Sequence, residues 1–187
     1  MKTLKDYILE KNWDKYQQNT YPNDEIKDAV YDYVSGMTSG VNDDLRKGIK
    51  TGSKKVIERL DKAFIEKRKI DVYRTVDWDY MKNIYGVTKE NINDFLNETF
   101  ENKGYMSTSK IFKSPWGNQW STDELVLHIT SIAPYPCIDV NKMFDASEID
   151  CADQEEIILP RNTKLILKDV SQMENKSKTY LLEMEII

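Results

Sequence analysis

The hydrophobic period of this chain changes once, near residue 70, and that change limits the fold more than any other feature of its 187 residues. Before it, apolar residues recur at three- and four-residue steps, the repeat of a helix with one buried face. Leu4, Ile8 and the Trp13/Tyr16 pair form one such run, and Ile26, Val30, Tyr33, Val34 and Met37 form the next. Asn23 and Asp24, preceded by Pro22, supply a start signal for the second run, and Ser39-Gly40 breaks it. Asn42 opens a short turn or helix, and Gly48 and Gly52 punctuate the stretch after it. Val56, Ile57, Leu60, Ala63 and Phe64 then predict an amphipathic helix from Lys55 to Lys67. Beyond residue 70 most segments read as strands: Ile70 to Val76, Glu124 to Thr130, Cys137 to Val140, Glu156 to Leu159, Thr163 to Val170 and Thr179 to Ile187. One helical stretch, roughly Lys89 to Phe100, interrupts them. Helices first and strands after them predict an α+β domain with an antiparallel or mixed sheet. The expected organisation is a single domain over 1–187, with a helical N-terminal part over 1–68 and a mainly β core over 69–187.

Charge and composition remove several classes of function. A formal charge of -5 and a pI near 5.1 give no long-range attraction for phosphate backbones, so no nucleic-acid partner is expected. No apolar run reaches the roughly 18 residues of a membrane span. The opening MKTLKDYILEKNW has no long apolar stretch and does not read as a signal peptide. Cys137 and Cys151 lack metal-ligand spacing and read as free thiols, and the one histidine, His128, is expected in the sheet core or at its edge. Neither a metal site nor a Ser-His-Asp triad is expected.

Four short stretches carry more chemistry than their surroundings. Arg74 shares its strand face with Val72 and Val76, where a guanidinium is costly unless it meets an anion. Taken alone, it reads more often as an edge-strand Arg paired with Asp71 or Asp77. Gly104-Tyr105-Met106-Ser107-Thr108-Ser109 sets three hydroxyls on one short strand, which by itself is an ordinary turn composition. Asp150-Cys151-Ala152-Asp153-Gln154-Glu155-Glu156 runs into Ile157-Ile158-Leu159, and Gln154 and Glu156 share a face if the strand has already begun. Its plainer reading is a solvated acidic loop. Asn42-Asp43-Asp44-Leu45-Arg46 ends on an Arg able to grip a phosphate with two donors, or is simply a surface helix start.

The order of these stretches resembles the exoenzyme ADP-ribosyltransferase family, which includes the Rho-modifying clostridial exoenzymes and the enzymatic subunits of the actin-modifying binary toxins. The likeness covers roughly residues 25–170. An aromatic followed by N-x-x-L-R is matched by Tyr33 with Asn42, Leu45 and Arg46, and an Arg on the first core strand by Val72-Tyr73-Arg74. Tyr105-Met106-Ser107-Thr108-Ser109 matches the S-T-S strand, and Gln154-Glu155-Glu156 followed by Ile157-Ile158-Leu159-Pro160 matches the Gln- or Glu-x-Glu pair.

The resemblance implies two facing, mostly antiparallel sheets with N-terminal helices, and NAD as co-substrate of a mono-ADP-ribosyltransferase of toxin or effector type. It implies that Glu156 is the main catalytic carboxylate, that Ser107 orients it, and that Gln154 faces the acceptor. Arg74 and Arg46 would hold the pyrophosphate, with Asn42, Tyr33, Thr108 and Ser109 completing the dinucleotide site. An aromatic stacked on nicotinamide is expected after the S-T-S strand, with Trp116 the first choice over Phe112 and Trp120, although Trp116 as core is an equal alternative. The only basic residues in that segment are Lys110 and Lys113. Gln rather than Glu at 154 implies asparagine rather than arginine as acceptor. The loop from Phe144 to Asp153 lacks the aromatic that accompanies Rho modification near its end. The expected partner is a target protein, such as a small GTPase or another host or bacterial protein, met by a monomer. The protein is expected to be secreted or delivered into a target cell, or to act in the cytoplasm of the cell that makes it. Two other readings stay open: NAD hydrolysis with water as acceptor, and a non-catalytic interaction module that retains the fold.

Overall fold

Helices with three-and-four spacing lead into strands in the computed structural model, which describes residues 24–38, 40–48, 53–112, 124–149, 152–173 and 179–187. The expected first helix, with Leu4, Ile8, Trp13 and Tyr16, lies outside these residues, as do Trp116, Trp120 and Cys151. α1 (Asp24–Val34) carries Asp24 and Glu25 in its first turn, where the helix dipole favours negative charge, and buries Ile26, Ala29 and Val30. α2 (Val41–Lys47) stops at Gly48, whose φ of 70° lets its N–H return to the Asp44 carbonyl. α3 (Lys54–Ala63) buries Leu60 and Ala63.

The sequence-predicted helix to Lys67 ends early. Glu66–Arg68 is a strand, β1, paired antiparallel with Tyr135 to Cys137. Glu-Lys-Arg has helix-forming composition, but an edge strand is where charged side chains suit a sheet, and pairing outweighs local preference there. β2 (Asp71–Asp77) passes directly into α4 (Trp78–Tyr85), a helix the strand pattern hides. Its start is set by Asp77, whose Oδ1 accepts the Tyr80 N–H at 2.6 Å. The helix expected over 89–100 is instead one 3₁₀ turn, Ile92–Phe95, followed by β3 (Thr99–Asn102). Asn97, at φ 67°, ends the turn, and Thr99 and Phe100 pair with Ile166 and Leu165.

The remaining strands are β4 (Met106–Ser109), β5 (Glu124–Ser131), β6 (Tyr135–Asp139), β7 (Glu156–Leu159), β8 (Thr163–Gln172) and β9 (Tyr180–Ile186). A short helix, α5 (Val140–Met143), follows β6, and a 3₁₀ turn, Ala152–Gln154, precedes β7. Hydrogen bonding orders the strands β1-β6-β7-β4-β2-β5-β9-β8-β3, all antiparallel except β5 beside β9. This is the expected α+β, mostly antiparallel class. The four strands from β1 to β4 and the five from β2 to β3 meet at one residue pair, Tyr73 with Ser109. The two ladders therefore part on either side of it.

Two apolar clusters flank the first ladder. Ile157 and Leu159 of β7 join Val72, Met81, Phe100, Leu125, Leu127 and Leu182 in the larger cluster. Ile158 faces the other way, among Ile26, Val30, Val41, Leu60 and Tyr105 under the helices. Burying each such side chain contributes about 1.5–3 kcal/mol against the unfolded chain. By the two-residue period, Glu156 shares the face of Ile158, and Ser107 and Ser109 share the face of Tyr105. Alternation in two adjacent strands thus puts the S-T-S serines and Glu156 on the helix side.

Candidate active site

Glu156 is the first residue of β7 and is 7% exposed, on a strand whose four residues are all buried. Cross-strand pairing sets Ser109 directly opposite it and Ser107 opposite Ile158, so Ser107 is its diagonal neighbour on the same face. The three hydroxyls of this strand do different work. Thr108 is buried and donates to the Ile157 carbonyl at 2.6 Å, locking β4 to β7. Ser109 Oγ donates to the Ile111 carbonyl and accepts the Ile111 N–H, both at 3.0 Å, turning the chain out of the strand. Ser107 is half-buried, and none of the described residues makes a hydrogen bond to its hydroxyl.

Arg74 pairs with neither Asp71 nor Asp77, the partners its plainer reading would give it. Asp71 meets His128, and Asp77 caps α4. The Arg74 guanidinium crosses the gap between the ladders, where Nη1 donates to the Ser107 carbonyl at 2.7 Å. Arg46, arriving from α2, lies over the same Tyr80 ring, each guanidinium carbon being 5.5 Å from its centroid. Both arginines have a buried Nε with no partner among the described residues. The contact from Arg46 Nη1 to the exposed Asp43 is long, at 3.7 Å. Two guanidiniums over one ring concentrate positive charge that a polyanion can neutralise.

Asn42 and Tyr33, expected at the dinucleotide, are joined to each other and to the S-T-S strand. Asn42 Nδ2 donates to Tyr33 Oη at 3.0 Å, and its Oδ1 accepts the Tyr105 N–H at 2.8 Å. Tyr33 meets Tyr105 edge-on, and Phe64 stacks on the same Tyr105 ring. Tyr105 Oη donates to Asp61 at 2.8 Å, and Arg161 grips that carboxylate with two nitrogens. Burial, then the Asp61 bond, raises the Tyr105 pKa. The approach of Asn42 requires Gly104: a Cβ there would stand 2.7 Å from Asn42 Oδ1 and 3.4 Å from Arg46 Nη2. Gly104→Ala is therefore expected to destabilise the fold by about 1–3 kcal/mol through that overlap. An unchanged urea midpoint would show that the brace yields without cost.

Gln154 lies in the 3₁₀ turn ahead of β7, and Glu155 between it and Glu156 has φ 47°. The strand begins at Glu156, so the alternation argument that set Gln154 and Glu156 on one face does not hold. No local sequence signal marks Tyr80 or Asp139 as neighbours of these residues. Tyr80 sits on a helix that the strand pattern masks, and Asp139 reads only as a polar strand residue. Lys110 turns to Asp139 and Glu155. Phe112 meets Tyr73 edge-on at 5.0 Å and is 41% exposed. His128 stacks on the other side of that neighbourhood, against Tyr73, between Glu183 and Asp71. Cys137 is a buried free thiol whose pKa is pushed up to about 12, chiefly by burial. A cavity of about 260 Å³ opens where β2 and β4 part, lined by Arg68, Lys69, Asp71, Tyr73 and Lys110 among others.

Comparison with known proteins places the chain as a whole. The family model described as ADP-ribosyltransferase exoenzyme matches residues 10–186. A comparison with curated protein sequences finds no match. Among solved structures, C3stau2 from S. aureus with NAD aligns at TM-score 0.72 and 17% identity, over 100% of this chain and 97% of that one. The C3 exoenzyme of Clostridium limosum aligns at TM-score 0.69 and 18% identity, over 95% and 92%. The enzymatic component C2-I of the C2-toxin from Clostridium botulinum aligns at TM-score 0.68 and 14% identity, over 94% of this chain but 46% of that one. At these identities the structures establish the shared fold, and the family model establishes the kinship. The chain belongs to the ADP-ribosyltransferase exoenzyme family and is an NAD-dependent ADP-ribosyltransferase.

Proposed function

We propose that this enzyme transfers one ADP-ribose unit from NAD to an asparagine of a target protein, with Glu156 as the catalytic carboxylate. The observation that carries this reading is the bond from Arg74 Nη1 to the Ser107 carbonyl, which fixes an anion-binding guanidinium to the strand beside the buried Glu156. Arg74 and Arg46 hold the pyrophosphate, their planar forks matching its oxygens. The bond between nicotinamide and ribose then breaks with its electron pair going to the pyridinium nitrogen. Neutral nicotinamide leaves, and positive charge spreads over the ribose. Glu156, fixed and largely out of water, bonds to a ribose hydroxyl and stabilises that charge where a low dielectric makes a single anion count most. Ser107, diagonal to Glu156 on the same face, orients it in this reading. The acceptor nitrogen attacks the ribose carbon and gives up its proton to solvent.

Gln154 faces the acceptor in this reading. An amide can accept from and donate to another amide, whereas a guanidinium acceptor calls for a carboxylate to take its proton. Phe112 or Trp116 stacks on the nicotinamide. Structural relatives named as toxins and exoenzymes support a protein secreted or delivered to work on a target protein in another cell, a small GTPase or another host or bacterial protein. NAD labelled on its adenylate phosphate, added with the enzyme to eukaryotic and bacterial lysates, is expected to label a discrete protein. Mass spectrometry is expected to map the ADP-ribose to asparagine. Mapping to arginine would overturn the role of Gln154. Nicotinamide release that ignores the lysate, with no protein labelled, would replace transfer by NAD hydrolysis.

A further inference from the structure

Glu155 holds a backbone conformation that its side chain does not favour. Its φ of 47° lies in the left-handed region, as do those of Asn97 and Asn162, but asparagine tolerates that region and glutamate does not. Such a residue persists only where its surroundings hold it. Among those surroundings is Lys110, the residue after Ser109, which makes two contacts with Glu155. The Lys110 N–H donates to the Glu155 carbonyl at 3.2 Å, and its ammonium lies 3.7 Å from Glu155 Oε2. The same ammonium lies 3.1 Å from Oδ2 of Asp139, a carboxylate with no exposed surface. Arg68 Nη1 donates to that oxygen at 2.6 Å, and the other Asp139 oxygen is buried with no partner among the described residues.

These residues close one end of three adjacent strands. Lys110 follows β4, Asp139 ends β6 opposite Ile157, and Glu155 precedes β7. A carboxylate taken out of water cannot release its cations cheaply, so Asp139 anchors Lys110 in place. Lys110 in turn spans to both the carbonyl and the side chain of Glu155. We infer that Lys110, anchored by the buried Asp139, is a positioning residue for ADP-ribose transfer: it clamps Glu155 in its left-handed turn and so sets where β7 starts and how Glu156 is presented. This rests on Glu156 being the catalytic carboxylate.

The test is the kinetics of nicotinamide release by the full chain carrying Lys110→Met, Lys110→Arg, Lys110→Met with Glu155→Gly, or Glu156→Gln, each with its urea midpoint. Lys110→Met is expected to lower kcat about 10- to 100-fold with KM for NAD within about twofold, because misplacing a reacting group by an ångström has a cost of that order. Lys110→Arg keeps the charge on Asp139 and is expected to recover most of the loss. Adding Glu155→Gly to Lys110→Met is expected to restore kcat about tenfold, since glycine takes the left-handed turn without a clamp. A merely structural Lys110 would lower the urea midpoint and gain nothing in kcat from that glycine, and this result overturns the inference. An inactive Glu156→Gln beside an unimpaired Lys110→Met overturns the clamp and leaves the reading of Glu156 intact. Wild-type turnover in Glu156→Gln overturns that reading, and the clamp with it.

Discussion

Glu156→Gln is expected to reduce nicotinamide release from NAD by about 100- to 1,000-fold, with KM for NAD within a few-fold of the wild type. The size rests on mutational losses at comparable sites: one preorganised group aimed at developing charge contributes about two to three powers of ten. Glutamine keeps the shape of the side chain and its capacity to accept a hydrogen bond, so substrate binding should survive while the charge is lost. A loss in kcat at constant KM is the signature of an interaction made in the transition state. Folding should not suffer, because a buried anion is exchanged for a neutral isostere. A cooperative thermal transition at or above the wild-type midpoint would confirm that the lost rate is chemical. Equal turnover in both proteins would remove Glu156 from the catalytic role.

Much of this site was legible in the sequence because strand alternation is a strict rule. Glu156-Ile157-Ile158-Leu159 reads as a buried strand from composition alone, and the structure begins and ends it at those residues. Once β4 pairs with β7, alternation leaves Glu156 one face to occupy, the face it shares with Ser107 and Ser109. Arg74 stood out because a guanidinium between Val72 and Val76 demands an explanation, and the bond to Ser107 with the unfilled Nε supplies one. What stayed hidden depends on contacts between distant segments. Nothing local marks Tyr80 as the ring beneath two arginines, since Arg46 and Arg74 reach it from different elements. The turn at Glu155 was missed because glutamate is not a residue one expects at positive φ, and its partner Lys110 comes from the end of β4, held in turn by Asp139 of β6. Asn42 and Tyr33 were found, but their polar atoms serve at least in part to brace the strand entering the site. The motif singles out these residues without distinguishing a ligand contact from the support behind it.

Arg46→Lys and Arg74→Lys are each expected to raise KM for NAD about 10- to 100-fold, with kcat changed far less. A hydrogen bond to a charged group contributes about 1.5–3 kcal/mol, and every ~1.4 kcal/mol is a factor of ten. Lysine keeps the charge, so the loss isolates the fork: an ammonium cannot present two parallel donors to two phosphate oxygens. The two substitutions should not act alike on stability. Arg74 is tied to the Ser107 carbonyl across the gap between the ladders, whereas the contact of Arg46 to exposed Asp43 is long and solvated. Arg74→Lys should therefore lower the urea midpoint as well, and Arg46→Lys should leave it nearly unchanged. The double variant decides whether both arginines serve one ligand. If the guanidiniums over Tyr80 grip one pyrophosphate, removing the second grip after the first has loosened should have a smaller effect than it does alone, and the combined rise in KM falls short of the product of the single rises. A full product would place the arginines on separate parts of the substrate, with Tyr80 as their common support and not as the floor of one anion site.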